Sequence, residues 1–264
     1  MSADSVVEGR VTVSTSHDGR VATLLVDRSS RLNALVPELL SELEAALDAV
    51  AGSVARVVLV RTAGTRAFSV GADIAVFSKL AAADMWRHWT SAGHRVFARL
   101  AALPQPTIAV VDGAALGGGL ELALACDFRI ARADAALGLP ELGLGLVPGW
   151  GGTERLTMLV GATRAKEIIL SRQAVDATTA LAWGLVNRAP ADNLDEEVER
   201  FVTDLLGSAP IAQQVAKQLV DAAAAGAPSS VLEAIASGFV ATTEDFAEGV
   251  GAFLGKRTPV FIGR

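Results

Sequence analysis

Tyrosine is absent from this chain of 264 residues, aromatic side chains make up 5% of it, and it has a single cysteine. One Cys excludes an internal disulfide framework. The opening "MSADSVVEGR" lacks the basic start and apolar stretch of an export signal, so a reducing cytoplasm is the expected compartment. No run of Lys or Arg occurs and the net charge is −6, which argues against a broad nucleic-acid surface. A small anionic ligand is still compatible with that charge, because a few well-placed cations can hold a phosphate on an acidic protein. Nor is there an uninterrupted apolar run of bilayer length. The most hydrophobic window, residues 107–126, is broken by Asp112, Glu121 and several glycines and reads as core, so no membrane association is expected.

Also missing are a P-loop, a G-x-G-x-x-G between strand and helix, and a G-x-S-x-G nucleophile elbow, which removes the common nucleotide-binding and serine-hydrolase readings. His17, His88 and His94 are spaced in a way that fits no zinc motif, so no metal site is expected. Cys126, beside "LALA", reads as a small buried hydrophobe rather than a nucleophile.

Half of the chain, 51%, is hydrophobic. With so few aromatic rings, its core must be Ala, Leu and Val in close packing. Residues 11–16 and 21–26 are β-rich and flank Asp18-Gly19, a hairpin turn signal. Val36, Leu39, Leu40, Leu43, Ala46, Leu47 and Val50 recur at helical spacing between Pro37 and Gly52. "RVVLVRT" (residues 56–62) and "TIAVVDG" (107–113) have the β-branched, continuously apolar composition of strands covered on both faces. A helical pattern over residues 84–103 separates them, and that alternation implies a parallel sheet. Beyond "GLVPGWGG", helical patterns cover residues 153–160, 164–171, 178–183, 195–206, 211–224 and 230–254, with "LVNRA" (185–189) expected as a short strand.

The stretch "ALGGGLELALACD" (residues 115–127) places three glycines directly before a carboxylate in an apolar run. It follows a strand and opens a helical pattern, so Gly117, Gly118 and Gly119 lie near a helix N-terminus, where backbone N–H groups lack partners. Glycine allows close approach to that backbone, and a developing negative oxygen could be held there. Glu121 follows Gly118 by three residues, close to one helical turn, so its carboxylate would share a face with that N–H. The plain alternative is a first-turn Glu that favours the helix dipole beside glycines that permit tight packing. "AFSVGAD" (67–73) supplies another strand-to-helix junction with the Val70 N–H as a second donor, and Glu141 follows a proline in an otherwise apolar loop.

With "RLNAL" (31–35), "AFSVGAD", "DGAALGGGLELALACDFRIA", "LPELGLGLVPGWGGTERL" and the tail "EGVGAFLGKRTPVF" in this order, the sequence resembles the enoyl-CoA hydratase/isomerase family, the crotonase superfamily, over nearly its whole length. The resemblance implies an α/β fold, a spiral of ββα units with a helical C-terminal region. The expected division is a core over residues 1–195 and an oligomerisation region over 196–264. It also implies a homotrimer or dimer of trimers and a coenzyme A thioester substrate, with no cofactor beyond the coenzyme of the substrate itself.

Residue by residue, the resemblance makes the N–H groups of Val70 and Gly118 an oxyanion hole. Glu121 would activate water for attack at Cβ, Glu141 would protonate Cα, and Gly149 would help hold the water. Coenzyme contacts are expected from Arg31, Ala67, Ser69, Val70, Gly71, Ala72, Asp73, Ile74, Gly117, Gly118, Lys256 and Phe261, the tail reaching from a neighbouring subunit. Met85, Trp86 and Trp89 fall where relatives line the acyl pocket, though a helical Trp is more often plain core. Both glutamates of the hydratase pattern are present, so reversible hydration of a trans-2-enoyl-CoA is the expected reaction. The alternatives are double-bond isomerisation, thioester hydrolysis or non-catalytic binding of an acyl-CoA.

Overall fold

A computed structural model describes residues 9–264. The opening residues 1–8, on which the expected lack of an export signal rests, lie outside that description.

Strands β1 (Arg10–Ser16) and β2 (Val21–Asp27) form the antiparallel hairpin, pairing Ser16 with Val21 and Arg10 with Asp27. Helix α1 (Pro37–Ala51) follows. Its Leu39, Leu40, Leu43, Ala46, Leu47 and Val50 recur on one face and are all buried, Pro37 starts it and Gly52 ends it.

The chain then alternates between two sheets. Strand β3 (Val57–Thr62) joins a large sheet and β4 (Ala67–Ser69) a small one, before an excursion through α2 (Ile74–Phe77), α3 (Ala82–Asp84), a π-helical turn (Met85–Thr90) and α4 (Ser91–Ala101). Strand β5 (Thr107–Val111) returns to the large sheet and β6 (Ala114–Leu116) to the small one, before α5 (Gly118–Leu124). Strands β7 (Phe128–Ala131) and β8 (Ala136–Gly138) repeat the step, followed by a 3-10 turn (Glu141–Leu144) and α6 (Gly152–Ser171). The result is a spiral of ββα units, with strand order β1-β2-β3-β5-β7 in one sheet and β4-β6-β8-β9 in the other, β9 being Val175–Asp176. Pairing within β2-β3-β5-β7 and β4-β6-β8 is parallel. Strands β3 and β5 are covered on both faces, which is why their sequences show no alternation.

Helices α7 (Ala177–Ala182), α8 (Leu194–Leu206), α9 (Pro210–Ala224), α10 (Ser229–Val240) and α11 (Glu244–Leu254) complete the chain. Val198 and Val202 of α8 are buried with Val21, Val57 and Ile108. The expected division after residue 195 therefore falls inside a helix that packs on the large sheet.

Three local expectations are corrected. "LVNRA" is not a strand. It makes one bridge, Arg188 to Ile130, and is held as a loop by buried Arg129, whose Nε donates to Leu185 O at 2.7 Å. Residues 230–254 are two helices, because Thr243 starts a new one by accepting the Phe246 N–H on its Oγ1 at 3.1 Å. The hairpin is joined by residues 17–20 rather than by a two-residue turn. No helix among the described residues is long and apolar enough to cross a membrane, and none of their His, Cys, Asp and Glu clusters could hold a metal.

Candidate active site

Because β4, β6 and β8 are adjacent and parallel, their C-terminal ends lie side by side. The segments that leave them are residues 70–71, 117–118 and 139–141, so the two expected amide donors and Glu141 arise from one sheet edge. Their approach is close enough to demand glycine. A Cβ on Gly71, which has φ +89, would lie 2.8 Å from Gly118 N, and one on Gly119 would lie 2.1 Å from Ser69 O.

Glu121 sits in the first turn of α5 and is 2% exposed. Its Oε1 accepts the N–H groups of Trp150 at 2.7 Å and Gly152 at 2.9 Å. Burial pushes its pKa up, against those backbone donors. Glu141, on the 3-10 turn, has no hydrogen-bond partner at either carboxylate oxygen. Burial first, then the charge of Glu121, raise its pKa to about 7. A Cβ on Gly117 would stand 3.2 Å from Glu141 Oε1, so this acid lies against the glycine that precedes Gly118.

Both acids face one cavity of about 970 Å³, and Val70, Ala72, Ile74, Gly117, Gly118 and Gly149 share its wall. Met85, Trp86 and Trp89 line it as well. The Gly118 N–H, at the first position of α5, has no acceptor within its own helix. The Val70 N–H, by contrast, donates to Leu32 O at 3.2 Å.

That bond belongs to a brace made by the "RLNAL" segment. Leu35 N donates to Gly71 O at 2.7 Å, Ser69 Oγ donates to Asn33 O at 2.8 Å, and the buried Asn33 Nδ2 donates to Ala67 O at 3.0 Å. Ala67 and Ser69 are thereby buried beneath the loop, and Asp73 pairs with Arg28 at 2.7 Å while accepting the Ala75 N–H at the start of α2. Arg31, Ala67, Ser69, Gly71 and Asp73 do not line the cavity.

Lys256 and Phe261 are not brought to it either. Phe261 packs against Gly249, its carbonyl accepts from Arg56 Nη2 at 2.8 Å, and buried Asp245 accepts the N–H groups of Ile262 and Gly263. Within one chain the tail is fastened to its own helices.

Two features of this cavity escape the sequence. The Trp150 amide grips Glu121 across an interval of 29 residues. Arg172 stands in the cavity wall, and its only sequence signal is an arginine at a helix end of the kind that usually carries glycine.

Residues 16–264 match the family model described as enoyl-CoA hydratase/isomerase. The chain is 38% identical over 252 residues to crotonyl-CoA hydratase of Syntrophomonas wolfei, covering 93% of this chain and 95% of that protein. It is 36% identical over 244 residues to short-chain-enoyl-CoA hydratase of Clostridium acetobutylicum, covering 91% and 93% respectively. The solved enoyl-CoA hydratase from Bacillus anthracis superposes with a TM-score of 0.91 at 35% identity, covering 97% of this chain and 100% of that one.

Proposed function

Because the chain belongs to the enoyl-CoA hydratase/isomerase family, we propose that it is an enzyme of fatty acyl-thioester metabolism. It adds water reversibly, in the syn sense, to a trans-2-enoyl-CoA, giving a 3-hydroxyacyl-CoA. The observation that carries this reading is the convergence of two poorly solvated carboxyls, from separate elements, on one cavity beside the Gly118 N–H, which has no acceptor within its own helix.

The thioester oxygen accepts the Gly118 N–H and shares the Val70 N–H with Leu32 O or displaces that carbonyl. A preorganised donor at a developing enolate oxygen is worth about 2.7–4 kcal/mol of barrier. Two backbone donors favour the ionised form of Glu121, whereas Glu141 has none, so the shared proton resides on Glu141. Glu121 takes a proton from water as its oxygen bonds to Cβ, and Glu141 gives its proton to Cα. Both acids act from one side of the alkene, hence the syn outcome. Gly149, in the same cavity wall, helps hold that water. No group beyond the coenzyme of the substrate is required.

Lys256 and Phe261 reach the coenzyme from a second copy of the chain, in a trimer or a dimer of trimers. The exposed Val231, Leu232, Ile235 and Phe239 of α10 support that assembly. The free, buried Cys126 thiol accords with a cytoplasmic setting.

Conversion of Glu141→Gln, followed by the loss of enoyl-thioester absorbance of crotonyl-CoA, is the test. A fall of about 100-fold or more is expected, and an unaltered rate in a folded variant removes the assigned acid. Products containing a shifted alkene or free coenzyme A would instead identify an isomerase or a thioester hydrolase.

A further inference from the structure

Among the described residues, Arg172 is the one cation that lines the cavity. It ends α6 with left-handed backbone, φ 63 and ψ 13, a conformation that favours glycine because a Cβ crowds the following carbonyl. Strained backbone retained at a cavity wall points to a task for the side chain it carries. Arg129 and Arg155 commit their guanidinium groups to carbonyls of the protein, whereas that of Arg172 makes no hydrogen bond or ion pair among the described residues. It does not pair with Glu141, whose oxygens are both unpartnered.

The position of this guanidinium narrows its ligand. Arg172 Nη1 lies 3.3 Å from where a Cβ on Gly143 would be, so the bare backbone at 143 makes room for it over the 3-10 turn. Gly143 and Glu141 are two residues apart on that turn, a rise of about 4 Å. Arg172 therefore stands near the reacting end of the site. The phosphates of a coenzyme A ester are removed from its thioester by the whole pantetheine arm, so an anion beside Arg172 belongs to the acyl part. Leu144, Val147 and Phe77, in the same wall, offer an aliphatic chain its apolar contacts. A guanidinium matches a planar carboxylate through paired charge-assisted hydrogen bonds.

Resting on the acyl-thioester reading above, we propose that Arg172 binds a carboxylate at the far end of the acyl chain, so that the favoured substrates are ω-carboxylated enoyl-CoA esters.

Calorimetry with two saturated esters tests this without turnover: hexanoyl-CoA, and the coenzyme A monothioester of the six-carbon dicarboxylic acid. The wild-type chain is expected to bind the carboxylated ester about tenfold tighter, the factor given by about 1.4 kcal/mol. That ratio falls to about one in Arg172→Gly, a substitution the left-handed backbone accommodates, and is partly kept in Arg172→Lys. A wild-type ratio near one, or a ratio unaltered in Arg172→Gly because both esters weaken together, overturns the proposal. Absence of hydration of both 2-hexenoyl-CoA and its ω-carboxylated counterpart by the wild-type chain would overturn the reaction while leaving the binding result standing.

Discussion

The Trp150 ring occupies the space a side chain on Gly93 would need: a Cβ at Gly93 would lie 2.2 Å from its Cε2 and Nε1. Trp150 also packs edge-on against Trp89 and Phe97, with ring centroids 5.1 and 5.3 Å apart, and donates its backbone N–H to Glu121. One residue thus ties the proposed base to the aromatic floor of the acyl cavity. The bulk of this side chain is accommodated by a glycine on α4.

Gly93→Ala should therefore destabilise the chain by about 1–3 kcal/mol, the usual range for overpacking a close-packed core. In a Trp150→Ala background the same methyl group enters empty space, so the two penalties should be strongly non-additive. Denaturant unfolding of both single variants and the double variant measures this. Additive penalties would show that the ring steps aside freely.

Glu141 gives a pH signature of definite sign. The folded carboxyl keeps its proton up to about pH 7, while the unfolded chain releases it at the ordinary carboxylate value of 4.5. Between those values the native state binds more protons, so this group makes stability fall as pH rises, with its full cost present above about 7. Glu141→Gln should leave stability near pH 4.5 unaltered and raise it by about 1–2 kcal/mol at pH 8, less than the whole shift implies because cavity water screens the group. Thermal unfolding at the two pH values checks this. In the wild-type chain, kcat/KM for hydration should fall as pH climbs through the same region, as the coupled pair loses the proton the reaction needs.

Self-association is predicted from α10, which buries no residue and leaves Ile235 67% and Phe239 55% exposed. Light scattering should give a mass that is a multiple of three chains, and Ile235→Glu should lower it. A monomeric wild-type chain would leave Lys256 and Phe261 without a route to the coenzyme.

The long elements were legible in sequence because burial imposes a pattern: the period of α1 and the unbroken apolar runs of β3 and β5 follow from one and two covered faces. Strands β4, β6 and β8 span three residues each, too few to show any period, and exist only through pairing with one another. The π-helical turn at Met85–Thr90 likewise has no signature separating it from ordinary helix. Glu121 and Glu141 stood out in sequence as acids in dry surroundings. The Leu32 carbonyl on the Val70 amide did not, because it depends on a loop crossing from a distant part of the chain.

The alternation of strands between the two sheets separates two tasks along the chain. The proposed reactive groups are fastened at the exits of three short neighbouring strands, whereas much of the cavity wall comes from the long detour between β4 and β5. Lengthening, shortening or repacking that detour could change which acyl groups are admitted without disturbing the bond-making geometry. A lineage built on this architecture can diversify its diet while keeping its chemistry.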